Sequence, residues 1–391
     1  MKTIVPKISS SLSKMWLKVV NLENSLFPVL KEELYLAELS SKEQKLISIL
    51  DFAEIEKNIT VVSVTNSRKY REQIARAFIA KSVYNFQTAR DLIDRLHIDR
   101  TLRLLCGWRH SNEIPSEATF SRAFKEMSDL KIAEKVQEQF VKEYLSEKVF
   151  FYNATDATKI PLREKPVKVD KEKPNPKKRG RPKKGETREP IKPTILKRQK
   201  EMQTVEEKLS LVSTTCGVGV KQNSKGNREV WIGGKLHISA VDGDIPITAF
   251  YSGANIHDSS VALPLMQETS KRVSYMYDLQ DAGYDADIIR EFSTTLGHRP
   301  IIDINPKNSK ELKKKIELRE HESKTFEYLN QHLDLDEEHY NQRSMVERVN
   351  KYLKDDFGCD KIYYQGATKV ASVLAFGILS ICIHQSLKLV T

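Results

Sequence analysis

The chain has 391 residues, enough for roughly two or three domains with sizeable cores, and 39% hydrophobic against 30% charged residues at a mean hydropathy of −0.49 marks a soluble globular protein. Lys plus Arg is 64 and Asp plus Glu 53, a balance of +11 that points to a polyanionic partner. The longest apolar stretch, Val370 to Ile383, runs about 14 residues against the roughly 20 needed to span a bilayer, which excludes a membrane protein and predicts a buried helix. No apolar leader marks Met1 to Trp16 for secretion, which places the chain in the cytoplasm. Cys106, Cys216, Cys359 and Cys382 lack C-x-x-C spacing and read as reduced core residues.

Residues 65–150 read as helices. From Arg71 to Val83, Ile74, Ala77, Phe78 and Ile79 recur at helical spacing, and Asp91 to Leu96 repeats the pattern. Ser116 stands as a cap before a helix with Phe120 and Phe124 on one face and Arg122 on another. This element fits a helix-turn-helix recognition helix and ordinary core packing equally. Trp108 and Trp231 read as core aromatics.

From Val149 the period shortens. Val149-Phe150-Phe151-Tyr152 predicts a strand leading into Asp156, followed by strands at Leu209–Ser213, Val230–Ile232, Lys235–Val241, Ile245–Phe250, Val273–Tyr277 and Arg299–Ile304. Antiparallel strands first, then strands alternating with helices, predict an α/β fold with a mixed sheet flanked by helices and preceded by an all-helical domain. The boundaries are 1–148 and 149–391. Residues 164–200 interrupt the second unit with 15 basic and 5 acidic residues and six of the fourteen prolines, a composition that predicts a disordered insertion. At its centre, Lys177-Lys178-Arg179-Gly180-Arg181-Pro182-Lys183-Lys184-Gly185 resembles an AT-hook, with Arg179, Arg181, Lys183 and Lys184 as groove or phosphate contacts. A plain solubilising run of charge is the other reading.

Three acids stand out by context. Asp156 follows an apolar strand and Asp281, in Asp281-Ala282-Gly283-Tyr284-Asp285, closes another, so both are expected at strand ends, where open sheets place their sites. Asp278 and Asp285 compete with Asp281, and Asp285 reads better as a helix N-cap. Glu347 lies in a helical stretch where Tyr340, Arg343, Glu347 and Lys354 fall within an arc of about 60° at about 100° per residue. Lys351 lies near that face, where DNA contact and solvation are both open. Hard oxygen ligands of this kind suit a pair of Mg²⁺ ions, and two such ions hold an attacking and a leaving oxygen in line, which is phosphodiester chemistry. Arg343 and Lys354 would meet DNA phosphates and Tyr340 would stack on a base or sugar.

Tyr340-x2-Arg343-x3-Glu347-x6-Lys354 resembles the Y-(2)-R-(3)-E-(6)-K signature of DDE transposases from bacterial insertion sequences. Asp156-Ala157-Thr158 resembles the first-Asp block of that family, Asp281 to Asp285 its D-x-G-Y-D block, and Ala254-Asn255-Ile256-His257-Asp258 its A-N-x-H-D block. The helical run from Arg71 to Phe124 is also similar to such proteins. The resemblance implies a ribonuclease-H-like core, the triad Asp156, Asp281 and Glu347, and two Mg²⁺ ions with Mn²⁺ as a substitute. It further implies double-stranded DNA partners (terminal inverted repeats and target DNA), a homodimer in the synaptic complex, and nucleoid association. Asn255, His257 and Asp258 are expected to brace the sheet end.

Overall fold

A computed structural model describes residue 15, residues 39–60, 70–166, 193–222 and 226–305, scattered positions between 309 and 318, and residues 335–390. The basic insertion's Arg179, Arg181, Lys183 and Lys184 lie outside the described residues.

Among the described residues from 39 on, seven α-helices precede the sheet: α1 (Ser41–Ala53), α2 (Ile55–Thr60), α3 (Arg71–Val83), α4 (Ala89–Ile98), α5 (Arg100–Cys106), α6 (Glu117–Asp129) and α7 (Ile132–Tyr144). Their starts follow capping chemistry. Ser40 with Glu43 and Thr88 with Asp91 form reciprocal capping boxes, and the Asp99 carboxylate accepts from Leu102 N–H. Ser116 occupies the cap of α6, but its hydroxyl turns to Thr119 Oγ1 at 3.3 Å and makes no cap bond. Phe120 and Phe124 are buried in the core while Arg122 is exposed.

The sheet then builds from β1 (Val149–Pro161), β2 (Gly217–Gln222), β3 (Arg228–Val241), β4 (Ile245–Gly253), β5 (Ser274–Gln280) and β6 (Arg299–Ile302). Its order is β2-β3-β1-β5-β6, with β4 also on β3. β3 is antiparallel to β1, β2 and β4, whereas β1, β5 and β6 run parallel. Parallel neighbours need crossovers, supplied by α10 (Ala262–Arg272) before β5 and α11 (Asp287–Thr295) before β6. The sheet is therefore mixed, as the order of periodicities predicts.

Two strand expectations are corrected. Leu209 to Ser213 is no strand: α8 (Ile195–Glu201) is followed by α9 (Val205–Ser210), because Thr204 and Glu207 form a capping box that starts a helix. The apolar runs at 230–232 and 235–241 are one continuous strand, and its partner β2 escapes prediction because of its glycines. Gly219 is required there, since a side-chain carbon would collide with the Trp231 ring.

The chain closes with α12 (Leu335–Asn341), α13 (Ser344–Asp355) and α14 (Ala367–Leu387). α14 is apolar on all sides, which a helix tolerates only when surrounded, and it is buried. Phe376 of α14 lies 5.8 Å from Phe78 of α3, which stacks on Phe124 of α6 at 4.4 Å. Gln137 of α7 donates to the Pro246 carbonyl of β4 at 2.9 Å. One continuous core consequently runs from Met15 to Leu387, shared by helices and sheet. All four cysteines are buried and free.

Candidate active site

The parallel pairing of β1 with β5 sets Tyr152 against Tyr277, Ala154 against Leu279 and Thr155 against Gln280. Continuing that register by one residue sets Asp156 beside Asp281, and the period of two places both on the face that carries Tyr152 and Tyr277. Asp156 does not end a strand, contrary to expectation. β1 runs on to Pro161 because β3 keeps pairing it, with Asp156 opposite Ile238 and Pro161 opposite Gly233; what ends at Asp156 is the parallel partner. Asp281 does close β5, caps the turn Ala282–Tyr284 and accepts from Gly283 N–H at 2.9 Å.

The same parity removes the competitors. Asp278 stands on the opposite face, fully buried, where it accepts from Asn153 Nδ2 at 2.9 Å and from the Ser293 hydroxyl of α11. Asp285 is not the expected N-cap. Ala286 holds that position with no side-chain bond, while Asp285 pairs with Arg290 at 2.9 Å and accepts from Asn305 N–H at 3.0 Å.

Asp156 Oδ2 accepts from Asn350 Nδ2 of α13 at 3.0 Å. Burial pushes its carboxyl up to about 6 and the charge of Asp281 adds to the rise; the Ala157 N–H, Arg343 and Lys221 oppose it. Loss of hydration is thus the main cause of the rise, and the nearby cations offset only part of it. Asn350 lies three residues after Glu347, and Tyr284, buried with its hydroxyl unpartnered, lies in the electrostatic field of Asp156, Asp281 and Arg343. Sequence does not single out Asn350, and Tyr284 enters only as a letter of the Asp281–Asp285 block. Asn350 has one signal, a polar residue beside the buried stripe Met345, Val346, Val349 and Leu353.

The stretch from Tyr340 to Lys354 is not one helix. Gln342 and Arg343 form a turn between α12 and α13, with Met345 N–H bonding Gln342 O and Val346 N–H bonding Arg343 O in the tighter i to i−3 pattern. Arg343 occupies the cap of α13 and still reaches Glu347: its guanidinium donates to Oε1 at 2.6 Å and lies 5.6 Å from the Tyr340 ring centroid. Burial works against the Arg343 charge, and Tyr340, Glu347 and Asp156 outweigh it. Burial likewise raises the Tyr340 phenol, with Asp303 and Asp281 adding. Lys354 is depressed by burial and by Lys159, while Asp156 pulls the other way. Lys351 is exposed. The structure therefore groups Asp156, Asp281, Tyr340, Arg343 and Lys354, and it turns the half-exposed Glu347 carboxylate onto Arg343.

Among the described residues, no three His, Cys, Asp or Glu side chains converge as a metal-binding group. The two aligned aspartates are nevertheless a hard oxygen donor set, the chemistry that suits a divalent cation. Around them His257 caps the turn Asp258–Val261 through Nδ1, and Asp258 pairs with Lys235 at 2.8 Å. Asn255 packs against Gly217 and Gly253.

A mixed sheet that brings two aspartates into register leaves the reaction open. Comparison with known families narrows it. A family model described as Transposase DDE domain matches residues 154–383, and one described as Transposase domain (DUF772) matches residues 36–126. The first spans more than half of the chain, which belongs to the Transposase DDE domain family. No curated protein and no solved structure matched the chain significantly.

Proposed function

We propose that the protein is a DNA transposase of the Y-R-E-K group of bacterial insertion sequences, with a ribonuclease-H-like core, cutting and joining DNA at Asp156, Asp281 and Glu347. The observation that carries this reading is the register that aligns Asp156 with Asp281 on one face, within a chain of the transposase DDE family. Two Mg²⁺ ions, or Mn²⁺ in their place, would be held by the three acids, and the chemistry they supply when bound is activation of the attacking oxygen and relief of charge on the leaving one. Glu347 joins the aspartates once it parts from Arg343. Asn350 fixes the rotamer of Asp156. Arg343 and Lys354 neutralise phosphates flanking the cut, Tyr340 stacks on a neighbouring base or sugar, and Lys351 adds a backbone contact.

The partners are the element's terminal inverted repeats and target DNA, held by a homodimer in the nucleoid. Residues 1–148 serve as the DNA-binding unit, 149–391 as the catalytic unit, and Arg179, Arg181, Lys183 and Lys184 of the insertion at 164–200 as groove contacts. The test is cleavage of DNA carrying the terminal repeats, read from the sequence flanking the gene. Asp156→Ala, Asp281→Ala and Glu347→Ala should each lose Mg²⁺-dependent cutting by more than about a hundredfold while DNA affinity stays within about threefold. Retained cutting removes that residue from the triad, and a wild-type chain that binds the repeats yet never nicks them leaves a DNA-binding protein only.

A further inference from the structure

Four residues before Asp156 on β1 stands Tyr152, and four before Asp281 on β5 stands Tyr277; they are register partners. Their rings stack at 5.7 Å with an interplanar angle of 29°. His339 of α12 lies over this pair. Its ring sits 4.4 Å from Tyr277 at 22° and 5.6 Å from Tyr152, and its Nδ1 shares a hydrogen bond of 2.7 Å with the Tyr152 hydroxyl. All three side chains are half-buried.

α12 meets the strands through His339, whose ring contacts both Tyr152 and Tyr277. His339 immediately precedes Tyr340 and lies one helical turn before Arg343, a rise of about 6 Å. The two tyrosines lie about 13 Å along their strands from the aspartates. The turn between is stiff, since Gln342 N–H bonds the His339 carbonyl at 3.2 Å and Arg343 N–H bonds the Tyr340 carbonyl at 2.9 Å. A point fixed at His339 therefore aims Tyr340 and Arg343 along the strands toward the carboxylate end, where Arg343 feels Asp156 and Tyr340 feels Asp281.

We propose that Tyr152, Tyr277 and His339 form an aromatic clasp that positions the Tyr340–Arg343 turn over the aspartate pair, so that His339 is a positioning residue for DNA cleavage. This rests on the carboxylate site argued above. The clasp touches neither the reacting phosphate nor the acids; it acts through where it holds Arg343. A displacement of about 1 Å at a phosphate-orienting group costs rate far more than affinity. The clasp thus belongs in kcat.

The experiment compares single-turnover cleavage, DNA affinity and thermal melting for the full chain carrying His339→Ala, His339→Phe, Tyr152→Phe or the double Tyr152→Phe/His339→Phe, with Asp156→Ala as reference. His339→Ala should slow cleavage about 10- to 100-fold with Kd for terminal-repeat DNA changed less than about twofold. The two Phe variants keep the stack and lose one shared hydrogen bond, so each should fall between, and the double should be no slower than the slower single. Wild-type cleavage in His339→Ala, loss of affinity in place of rate, or a rate loss that tracks melting and vanishes on cooling would each overturn the clasp. If His339→Ala does not fold, Tyr152→Phe decides by the same criteria. Asp156→Ala separates the two ideas: if it still cuts, the carboxylate reading has failed, whereas a dead Asp156→Ala beside a normal clasp variant condemns the clasp alone.

Discussion

Asp156 is held with its carboxyl raised to about 6, against an ordinary value of 3.8, mainly by burial. An acid raised on folding favours the native state fully only below its unfolded value and loses that contribution as pH rises through about 6. Roughly two units correspond to about 3 kcal/mol. Asp156→Asn should therefore stabilise the metal-free protein by about that much at pH 8 and by little at pH 4, measured by urea unfolding at both pH values. An equal effect at both would contradict burial as the cause. Asp281 stands out in the sequence because it follows an apolar strand, and Asp156 because it follows the apolar start of a strand that runs on past it, while period two sets Asp278 on the opposite face. Tyr284 is legible only as a letter of the Asp281–Asp285 block, and Asn350 is not legible, since its contact with Asp156 arises after α13 docks on the sheet and no local pattern encodes that.

Capping and glycine decide where apolar patterning misleads about an element. A Thr-x-x-Glu box at Thr204 turns an apolar run into a helix, and glycines hide β2 although its partner strand is plain. The β2–β3 ribbon offers a clean comparison. Gly219→Val should cost about 1–3 kcal/mol, because Trp231 must move to admit the side chain. Val218→Thr on the exposed face should stay within about 0.5 kcal/mol, both read as shifts in melting temperature. Equal effects would mean that Trp231 is not what fixes the glycine. The break at Gln342–Arg343 is invisible for another reason: Tyr340 to Lys354 has helical spacing throughout, and the tighter turn appears only in the backbone bonding.

At the scale of the molecule, the change of period near Val149 marks where helices give way to sheet, while the core passes across it without interruption. Periodicity reports local structure, and shared packing between distant segments leaves no periodic trace. The basic insertion departs from an anchored stem: Glu164 accepts from the Gly366 N–H, and Gln199 of α8 donates to the Lys208 and Ser260 carbonyls. Removing residues 167–192 should thus leave melting nearly unchanged while flattening the salt dependence of DNA binding by about 0.9 for each phosphate no longer neutralised; an unaltered slope would make the segment a passive linker. The placing of α14 has a consequence for biosynthesis. The first helices emerge from the ribosome more than two hundred residues ahead of Phe376, the ring that completes the aromatic cluster of Phe78 and Phe124. Until Phe376 has been made, those helices carry an open apolar wall, so their escape from aggregation is a matter for the chaperones that meet them.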